Sequence, residues 1–309
     1  MTALDQALAD YLRIRRAMGY KLIRDGKLLE QFLAFLDDRG ARRITTELAL
    51  AWAQLPSGPN PSWPANRLTV VRGFAVYLQT LDPASEVPPS RLLAAGQRRA
   101  TPYLYSDEEI AALIAAASIL RYPLRTETYQ TLIALLAATG MRIGEAINLD
   151  RADIDTAHGL LTVRAGKFGK SREIPLHPST VRGLADYQRR RDRWLPSPST
   201  PAVFISPAGT RLLYHNASTT FCKLVRHAGL TPRSASCRPR LHDLRHTFAV
   251  RTITDAYASG EDVGARLALL CTYLGHIDPA ATYWYLSAAP ELMTLAGERL
   301  ERHLQGGQS

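Results

Sequence analysis

Hydrophobic residues recur at helical spacing in four stretches near the start of the chain. This spacing predicts helices over residues 3–18, 22–38 and 66–81, and a shorter helix that Thr45 or Thr46 caps. Four short helices with apolar stripes can bury one small shared core. The pattern therefore predicts an all-α N-terminal module.

Helical periodicity stops at Asp82 and returns only after a stretch rich in proline and arginine. Such a stretch is typical of a linker. We therefore place an N-terminal domain at residues 1–97, with the linker beginning at about residue 82. A second domain is predicted at residues 101–309.

Most of the second domain has helical periodicity. The predicted helices cover residues 110–120, 127–138, 142–149, 178–193, 217–228, 263–274 and 290–303, and another begins near His242. Two β runs, residues 160–164 and 172–176, flank a turn that contains Lys167. The predicted fold class is therefore α+β, mostly α with a small antiparallel β-sheet.

The net charge of the chain indicates which kind of partner it binds. The chain has 38 Lys and Arg against 28 Asp and Glu, a formal net charge of +10. This excess favours a polyanion, with nucleic acid first and an acidic membrane surface second. Many basic side chains are simply solvated, and we interpret the arginine-rich run at residues 189–193 as a solvated helix end.

Cysteine usage and hydropathy narrow the class of protein further. Cys222, Cys237 and Cys271 are odd in number and lack Cys-x-x-Cys spacing, which disfavours a disulfide framework or a zinc module. The N-terminal residues lack the pattern of a secretory signal, and the longest nearly apolar run, residues 110–120, is too short to span a bilayer. We expect a cytoplasmic, nucleoid-associated protein with no membrane partner.

The stretch from His242 to His246, sequence His-Asp-Leu-Arg-His, is the strongest candidate for chemistry. On a helix, His242, Arg245 and His246 share one face. A fixed cation between two imidazoles suits an anion that undergoes proton transfer, such as a phosphodiester. A zinc pair at the two histidines is a rival reading, but Arg245 would repel a cation and no third ligand is evident.

Four other candidates are weak when each is taken alone. Arg142, in Thr-Gly-Met-Arg, could be a surface residue, and Lys167 could be an exposed hairpin tip. His276, in Leu-Gly-His, could cap a helix, and Tyr285 could be a core aromatic. Their order along the chain, with Tyr285 nine residues after His276, makes the set far more specific than any one member.

This ordered set of motifs resembles the tyrosine recombinase (phage integrase) family over residues from about 130 to 290. The stretch Thr-Tyr-Trp-Tyr-Leu around Tyr285 looks like that of the integrase-like transposases of bacterial mobile elements. The resemblance implies an all-α core-binding domain at residues 1–97 and a catalytic domain at residues 101–309, which together clamp duplex DNA. It also implies integration, excision or transposition of a mobile element, and the sequence does not separate these roles from the resolution of DNA dimers.

The resemblance implies a role for each cation of the set. Arg142 and Arg245 would hold the two non-bridging oxygens of the phosphate and neutralise the charge that grows in the transition state. Lys167, on its hairpin, would protonate the leaving 5′ oxygen. Glu145 and His246 are expected to brace the site. No metal and no cofactor is needed in this scheme.

The resemblance also implies the nucleophile and its helpers. Tyr285 would attack the phosphate and form a covalent 3′-phosphotyrosyl link. His242 would take or share the tyrosine proton, and His276 would hydrogen-bond the phosphate. Tyr283 and Tyr273 are rival nucleophiles, and the spacing after His276 favours Tyr285.

Two further functions remain open from the sequence. A type IB topoisomerase would use the same chemistry without exchanging strands between two sites. A catalytically idle DNA-binding regulator would keep the fold, although it would not need Tyr285. For the recombinase, the resemblance implies double-stranded DNA, a homo-oligomer that reaches a synaptic tetramer on DNA, and accessory recombinases as partners.

Overall fold

The computed structural model describes residues 2–56, 61–93, 100–164, 171–275 and the isolated residue 297. The chain divides into two compact units, residues 1–99 and 100–309. Each has its own buried cluster of hydrophobic residues. Across the described residues, no helix is long and apolar enough to cross a membrane.

The first unit is all-α within its described residues, as the hydrophobic pattern predicts. Its helices are α1 (Ala3–Ala17), α2 (Ile23–Asp37), α3 (Thr46–Ala53) and α4 (Trp63–Gln79). The apolar stripes of all four meet in one core, in which Phe32, Trp52 and Phe74 are almost completely buried. The ring of Phe32 contacts that of Trp52 at a centroid distance of 5.1 Å.

Local capping explains where two of these helices begin. The Thr45 hydroxyl accepts a hydrogen bond from the backbone N–H of Leu48, which makes Thr45 the cap of α3. Helix α4 begins at Trp63, three residues before the predicted start at residue 66. Pro64 lies in the first turn, where a missing N–H costs no helical hydrogen bond.

The beginning of the predicted linker is attached to the helical unit. The backbone N–H of Glu86 donates to the carbonyl of Ile44 at 2.8 Å, and its carboxylate accepts from the N–H of Thr46 at 2.8 Å. The Arg72 guanidinium donates to the carbonyl of Pro88 at 3.0 Å. Residues up to Pro88 are therefore held by the N-terminal unit.

The second unit is mostly helical, with one small antiparallel sheet. Its helices are α5 (Asp107–Ala116), α6 (Pro123–Thr139), α7 (Ile143–Ile147), α8 (Pro178–Trp194), α9 (Tyr214–His227), α10 (Asp243–Ala258) and α11 (Val263–Leu274). The strands are β1 (Ile154–Asp155), β2 (Leu160–Val163) and β3 (Arg172–Pro175), in the order β1-β2-β3. The predicted fold class is confirmed.

The sheet has the predicted hairpin and one strand that the pattern does not reveal. Leu161 lies opposite Ile174, and Val163 lies opposite Arg172 at the end of the hairpin. Its turn, residues 165–170, lies outside the described residues. Strand β1 has only two residues, too few for an alternating pattern to show in the sequence.

Helix α6 runs through the core of this unit. It is apolar on most sides, and Leu132, Ile133 and Leu136 are almost completely buried. Its Tyr129 hydroxyl donates to the carbonyl of Asn216 at 2.9 Å, which joins α6 to α9. This anchored helix fixes the position of the Thr139–Gly140 turn at its C-terminal end.

The prediction that residues 189–193 form a solvated helix end is wrong for Arg191. This side chain is 0% exposed. Its guanidinium donates to the carbonyls of Ala202 and Val203 at 2.6 and 2.9 Å and contacts Asp192 at 2.9 Å. The hydrogen-bond acceptors for this arginine therefore come mainly from a later part of the chain, which folds back onto α8. The pattern of charges along one helix does not reveal such acceptors.

Replacing Arg191 with Ala should lower the free energy of unfolding by about 3 kcal/mol, because two buried carbonyls would lose their donor. Urea denaturation would measure the loss. The matched control is Arg189→Ala, since Arg189 is exposed and, among the described residues, pairs with Asp186 on its own helix, and it should change stability little. Equal effects of the two substitutions would contradict the structural role of Arg191.

Candidate active site

The turn at Gly140 brings the end of α6 against α10. Gly140 has a φ of +58°, which favours glycine, and its N–H donates to the carbonyl of Leu136 at 2.9 Å. A Cβ atom at this position would lie 2.4 Å from Cδ1 of Phe248 on α10. The glycine therefore permits both the turn and the close approach of the two helices.

Arg245 lies at this contact and is only 2% exposed. Its Nη1 donates to the carbonyl of Gly140 at 2.9 Å, and its Nη2 donates to the carbonyl of Leu274 at 2.8 Å. These bonds hold the guanidinium between the end of α6 and the end of α11. A buried cation fixed by two carbonyls is well suited to bind an anion without reorganising.

Arg142 precedes the first turn of α7 and is fixed by Glu145. Its backbone N–H donates to Oε2 of Glu145 at 2.9 Å, and its Nη1 donates to Oε1 at 2.8 Å. Its Nη2 donates to the carbonyl of Gly275 at 3.2 Å, and the side chain is 25% exposed. Glu145 therefore braces Arg142, as predicted from the sequence.

Three arginines each donate a hydrogen bond to one of three consecutive backbone carbonyls at the end of α11. Arg172 on β3 donates from Nε to the carbonyl of Tyr273 at 2.8 Å, Arg245 to that of Leu274, and Arg142 to that of Gly275. The last carbonyls of a helix lack partners within the helix, and the C-terminal end carries partial negative charge. This end of α11 is therefore the common anchor of the three guanidinium groups.

Glu145 balances part of this positive charge. Arg172 binds it through two hydrogen bonds, Nη1 to Oε1 at 3.0 Å and Nη2 to Oε2 at 2.8 Å. Burial raises the pKa of Glu145, but the hydrogen bonds from Arg172 and from the backbone of Arg142 outweigh burial and lower the pKa to about 2. Glu145 is thus ionised at all ordinary pH values.

His242 lies at the N-terminal end of α10, and its ring meets that of His246 edge-on at a centroid distance of 4.9 Å. His242 is exposed at the protein surface, but neighbouring groups displace water from part of its ring. This desolvation lowers the pKa of His242, and the charges of Arg245, Arg240 and Arg142 lower it further, to about 4. The imidazole is therefore neutral at neutral pH and can accept a proton.

Three of the six predicted site residues come together in the structure. Arg142 and Arg245 bind adjacent carbonyls, and the charges of both act on His242. The other three, Lys167, His276 and Tyr285, lie outside the described residues. Their roles stay predictions.

Sequence reasoning missed Arg172. The signal was present, because Arg172 alternates with Ile174, which is fully buried on β3. Two residues that alternate along a strand share one face of the sheet. An arginine on the same face as a core isoleucine needs buried partners, and this reasoning would have singled it out.

The structure disfavours one rival nucleophile. Tyr273 stacks on Phe248 at a centroid distance of 5.5 Å, and burial raises its pKa to about 12. Its hydroxyl is therefore difficult to ionise. Tyr283, the other rival, lies outside the described residues. In the part of the chain that the structure describes, no three His, Cys, Asp or Glu side chains form a group that could hold a metal ion.

Comparisons of sequence agree with the motifs. The model of the phage integrase family matches residues 104–291. The y4rB protein of Sinorhizobium fredii, named as an integrase/recombinase, is 45% identical over 308 residues, 98% of each chain. The tyrosine recombinase XerD of Mycobacterium leprae is 33% identical over 236 residues, 72% of this chain and 68% of XerD.

Comparisons of structure agree with the fold. The Tn1549 transposon integrase, solved in complex with a circular intermediate DNA, has a TM-score of 0.65 at 16% identity, covering 98% of this chain and 100% of that one. The XerH site-specific recombinase, solved in a post-cleavage complex with its palindromic difH substrate, has a TM-score of 0.63 at 16% identity and covers 96% of both chains. The fold is that of the tyrosine recombinases.

The low pKa of Glu145 predicts a dependence of stability on pH. Its folded-state pKa lies below the ordinary value of 4.5, so its contribution is complete above about pH 4.5 and is lost as the pH falls toward 2. The contribution is about 3 kcal/mol by linkage. Urea denaturation between pH 5 and pH 2 should show a flatter profile for Glu145→Gln than for the wild-type protein. Identical slopes would contradict the assignment.

The surroundings of His242 predict a neutral imidazole. Titration followed by NMR of labelled histidine, with His242→Asn to assign the resonance, should show protonation of His242 only at about pH 4. A histidine without such neighbours titrates near 6.5. A midpoint near that value would mean that the neighbouring arginines do not act on the His242 ring.

Proposed function

The chain belongs to the phage integrase family and is a tyrosine-type site-specific recombinase, and on this premise we propose how its residues cut and rejoin DNA. The observation that carries the proposal is the pair of guanidinium groups of Arg142 and Arg245, held on adjacent carbonyls at the end of α11. His276, the histidine predicted to bind the phosphate, follows these carbonyls directly in the chain.

The two arginines bind the phosphate. A DNA phosphodiester resists attack because its negative charge repels nucleophiles. Arg142 and Arg245 each donate to one non-bridging oxygen and neutralise the charge that develops as the nucleophile approaches. Because both guanidinium groups are already fixed by protein carbonyls and by Glu145, little reorganisation is needed when the phosphate binds. His276 donates a further hydrogen bond to the phosphate.

Tyr285 is the nucleophile in this proposal. Its oxygen attacks phosphorus, the bond to the 5′ oxygen breaks, and a 3′-phosphotyrosyl link and a free 5′-hydroxyl form. The neutral imidazole of His242 accepts the tyrosine proton, and Lys167 gives a proton to the leaving 5′ oxygen. Attack by a 5′-hydroxyl on the phosphotyrosyl link reverses these steps and rejoins the strands. No step requires a metal or a cofactor.

The partners follow from the chemistry and from the relatives. Double-stranded DNA is the substrate, consistent with the formal charge of +10. Residues 1–97 serve as the core-binding domain and residues 101–309 as the catalytic domain. Exchange between two sites requires a homo-oligomer on DNA, which we take to be a synaptic tetramer, and accessory recombinases are compatible with it. The residues from Pro290 onward are the candidate contact to a neighbouring protomer.

The cellular role that we propose is integration, excision or transposition of a mobile element by a cytoplasmic, nucleoid-associated protein. It rests on the likeness of the whole chain to y4rB and to the Tn1549 transposon integrase. The sequence around Tyr285 points in the same direction.

Trapping on a suicide substrate tests the nucleophile and the reaction class together. The protein is incubated, without added metal, with nicked duplexes that carry the ends of the DNA element encoding it, and a denaturing gel separates covalent complexes. Tyr285→Phe should lower their yield by more than about a thousandfold, the scale expected for loss of a nucleophile. Tyr283→Phe is the matched control and should keep the band.

The alternative outcomes are equally informative. A covalent band that survives Tyr285→Phe and disappears in Tyr283→Phe would move the nucleophile to Tyr283. Tight binding of the wild-type protein to the element ends with no covalent band would contradict catalysis and favour a DNA-binding regulator.

A further inference from the structure

Arg172 occupies an unusual position for a charged residue on a strand. It is the first residue of β3, and its side chain is 15% exposed. It lies on the same face as the buried Ile174. Burial of a cation is costly unless partners satisfy it, so the contacts of Arg172 show what holds it there.

Within the described part of the chain, the side chain of Arg172 hydrogen-bonds to groups of the candidate active site. Its two terminal nitrogens bind both carboxylate oxygens of Glu145, and its Nε binds the carbonyl of Tyr273. A Cβ atom on Gly275 would lie 3.1 Å from its Nη1. Arg172 therefore packs against α7 and against the last turn of α11 simultaneously.

These contacts connect Arg172 to both groups that hold Arg142, which are Glu145 and the end of α11. Glu145 accepts two hydrogen bonds from Arg142 and two from Arg172. Gly275, whose carbonyl binds Arg142, lies against the Arg172 guanidinium. Without Arg172, the carboxylate would be free to rotate toward Arg142, and the end of α11 would lose one of its three cationic contacts.

We propose that Arg172 is a positioning residue for phosphate binding, which acts by fixing Glu145 and the end of α11 and thereby the guanidinium of Arg142. The inference rests on the proposed function. Arg172 does not touch the substrate in this account. A fork of parallel N–H donors is needed, because a lysine ammonium is a point charge and would not match both carboxylate oxygens and a carbonyl in this planar arrangement.

The test compares two scissile linkages in the suicide substrate. One is the natural phosphodiester. The other is a methylphosphonate, in which a methyl group replaces one charged non-bridging oxygen and leaves the linkage neutral. If Arg172 acts through Arg142, loss of Arg172 should slow the reaction most on the phosphodiester, whose negative charge must be neutralised. A merely structural defect would slow both reactions by the same factor.

Arg172→Gln should slow formation of the covalent complex on the phosphodiester by about tenfold to a hundredfold, the scale expected when a reacting group is misplaced by about 1 Å. The loss should be several times smaller on the methylphosphonate. Arg172→Lys should fall between Arg172→Gln and the wild-type protein on the phosphodiester. Thermal unfolding of each variant establishes how much of the protein is folded at the assay temperature, and rates are compared per folded molecule.

Arg151→Gln is the matched control. Arg151 also binds a carboxylate through two hydrogen bonds, to Asp192 at 3.1 and 2.7 Å, but none of its recorded partners is a candidate site residue. It should react at the wild-type rate on both linkages. The same loss in Arg151→Gln as in Arg172→Gln would overturn the inference, because it would show a general effect of removing such a pair.

Two other results would also overturn it. A wild-type rate for Arg172→Gln on the phosphodiester would mean that Arg142 needs no support from Arg172. An equal loss on the two linkages would assign Arg172 a purely structural role. Absence of any covalent complex with the wild-type protein would instead overturn the proposed function, and the two failures are thereby distinguishable.

Discussion

The meeting of three guanidinium groups at the end of α11 is the interaction on which the site depends. Arg172, Arg245 and Arg142 bind the carbonyls of residues 273, 274 and 275 in that order. The carbonyls at a helix C-terminus need donors, and the cations need compensation for burial. The guanidinium groups supply the donors that the carbonyls need, and the carbonyls compensate the cations for burial. As a result, β3, α7, α10 and the end of α11, which come from separate parts of the chain, are held together.

The same cluster of cations prepares the site for phosphodiester chemistry. Desolvation of the His242 ring and the charges of Arg245, Arg240 and Arg142 keep its pKa at about 4, so that the imidazole stays neutral beside the groups that would bind the phosphate. Glu145, ionised under the same conditions, offsets part of the positive charge. A proton acceptor and an anion-binding pair can therefore coexist at neutral pH, as nucleophilic attack by a tyrosine requires.

Local patterns in the sequence predicted most of the described helices. The features that were not predicted depend mostly on contacts between distant parts of the chain. The fold class, the hairpin and the cap at Thr45 follow from periodicity and capping. Arg142, Arg245 and His242 were selected as candidate site residues from the order of the motifs along the chain. The role of Arg191 was missed because its carbonyl partners come from a later part of the chain. For Arg172, the alternation with Ile174 indicates a buried position, but the sequence does not show which partners it binds. The two-residue strand β1 is too short to leave a pattern. Lys167, His276 and Tyr285 remain predictions.

The central claim is that Arg142 and Arg245 together hold the scissile phosphate. The most direct measurement is a crystal structure of the protein with two DNA oligonucleotides that end at the cleavage site and with orthovanadate, which mimics a phosphate under attack. The account predicts vanadate oxygens within hydrogen-bonding distance of both guanidinium groups, and the vanadium bonded to the Tyr285 oxygen. Vanadate bound away from either arginine would contradict it.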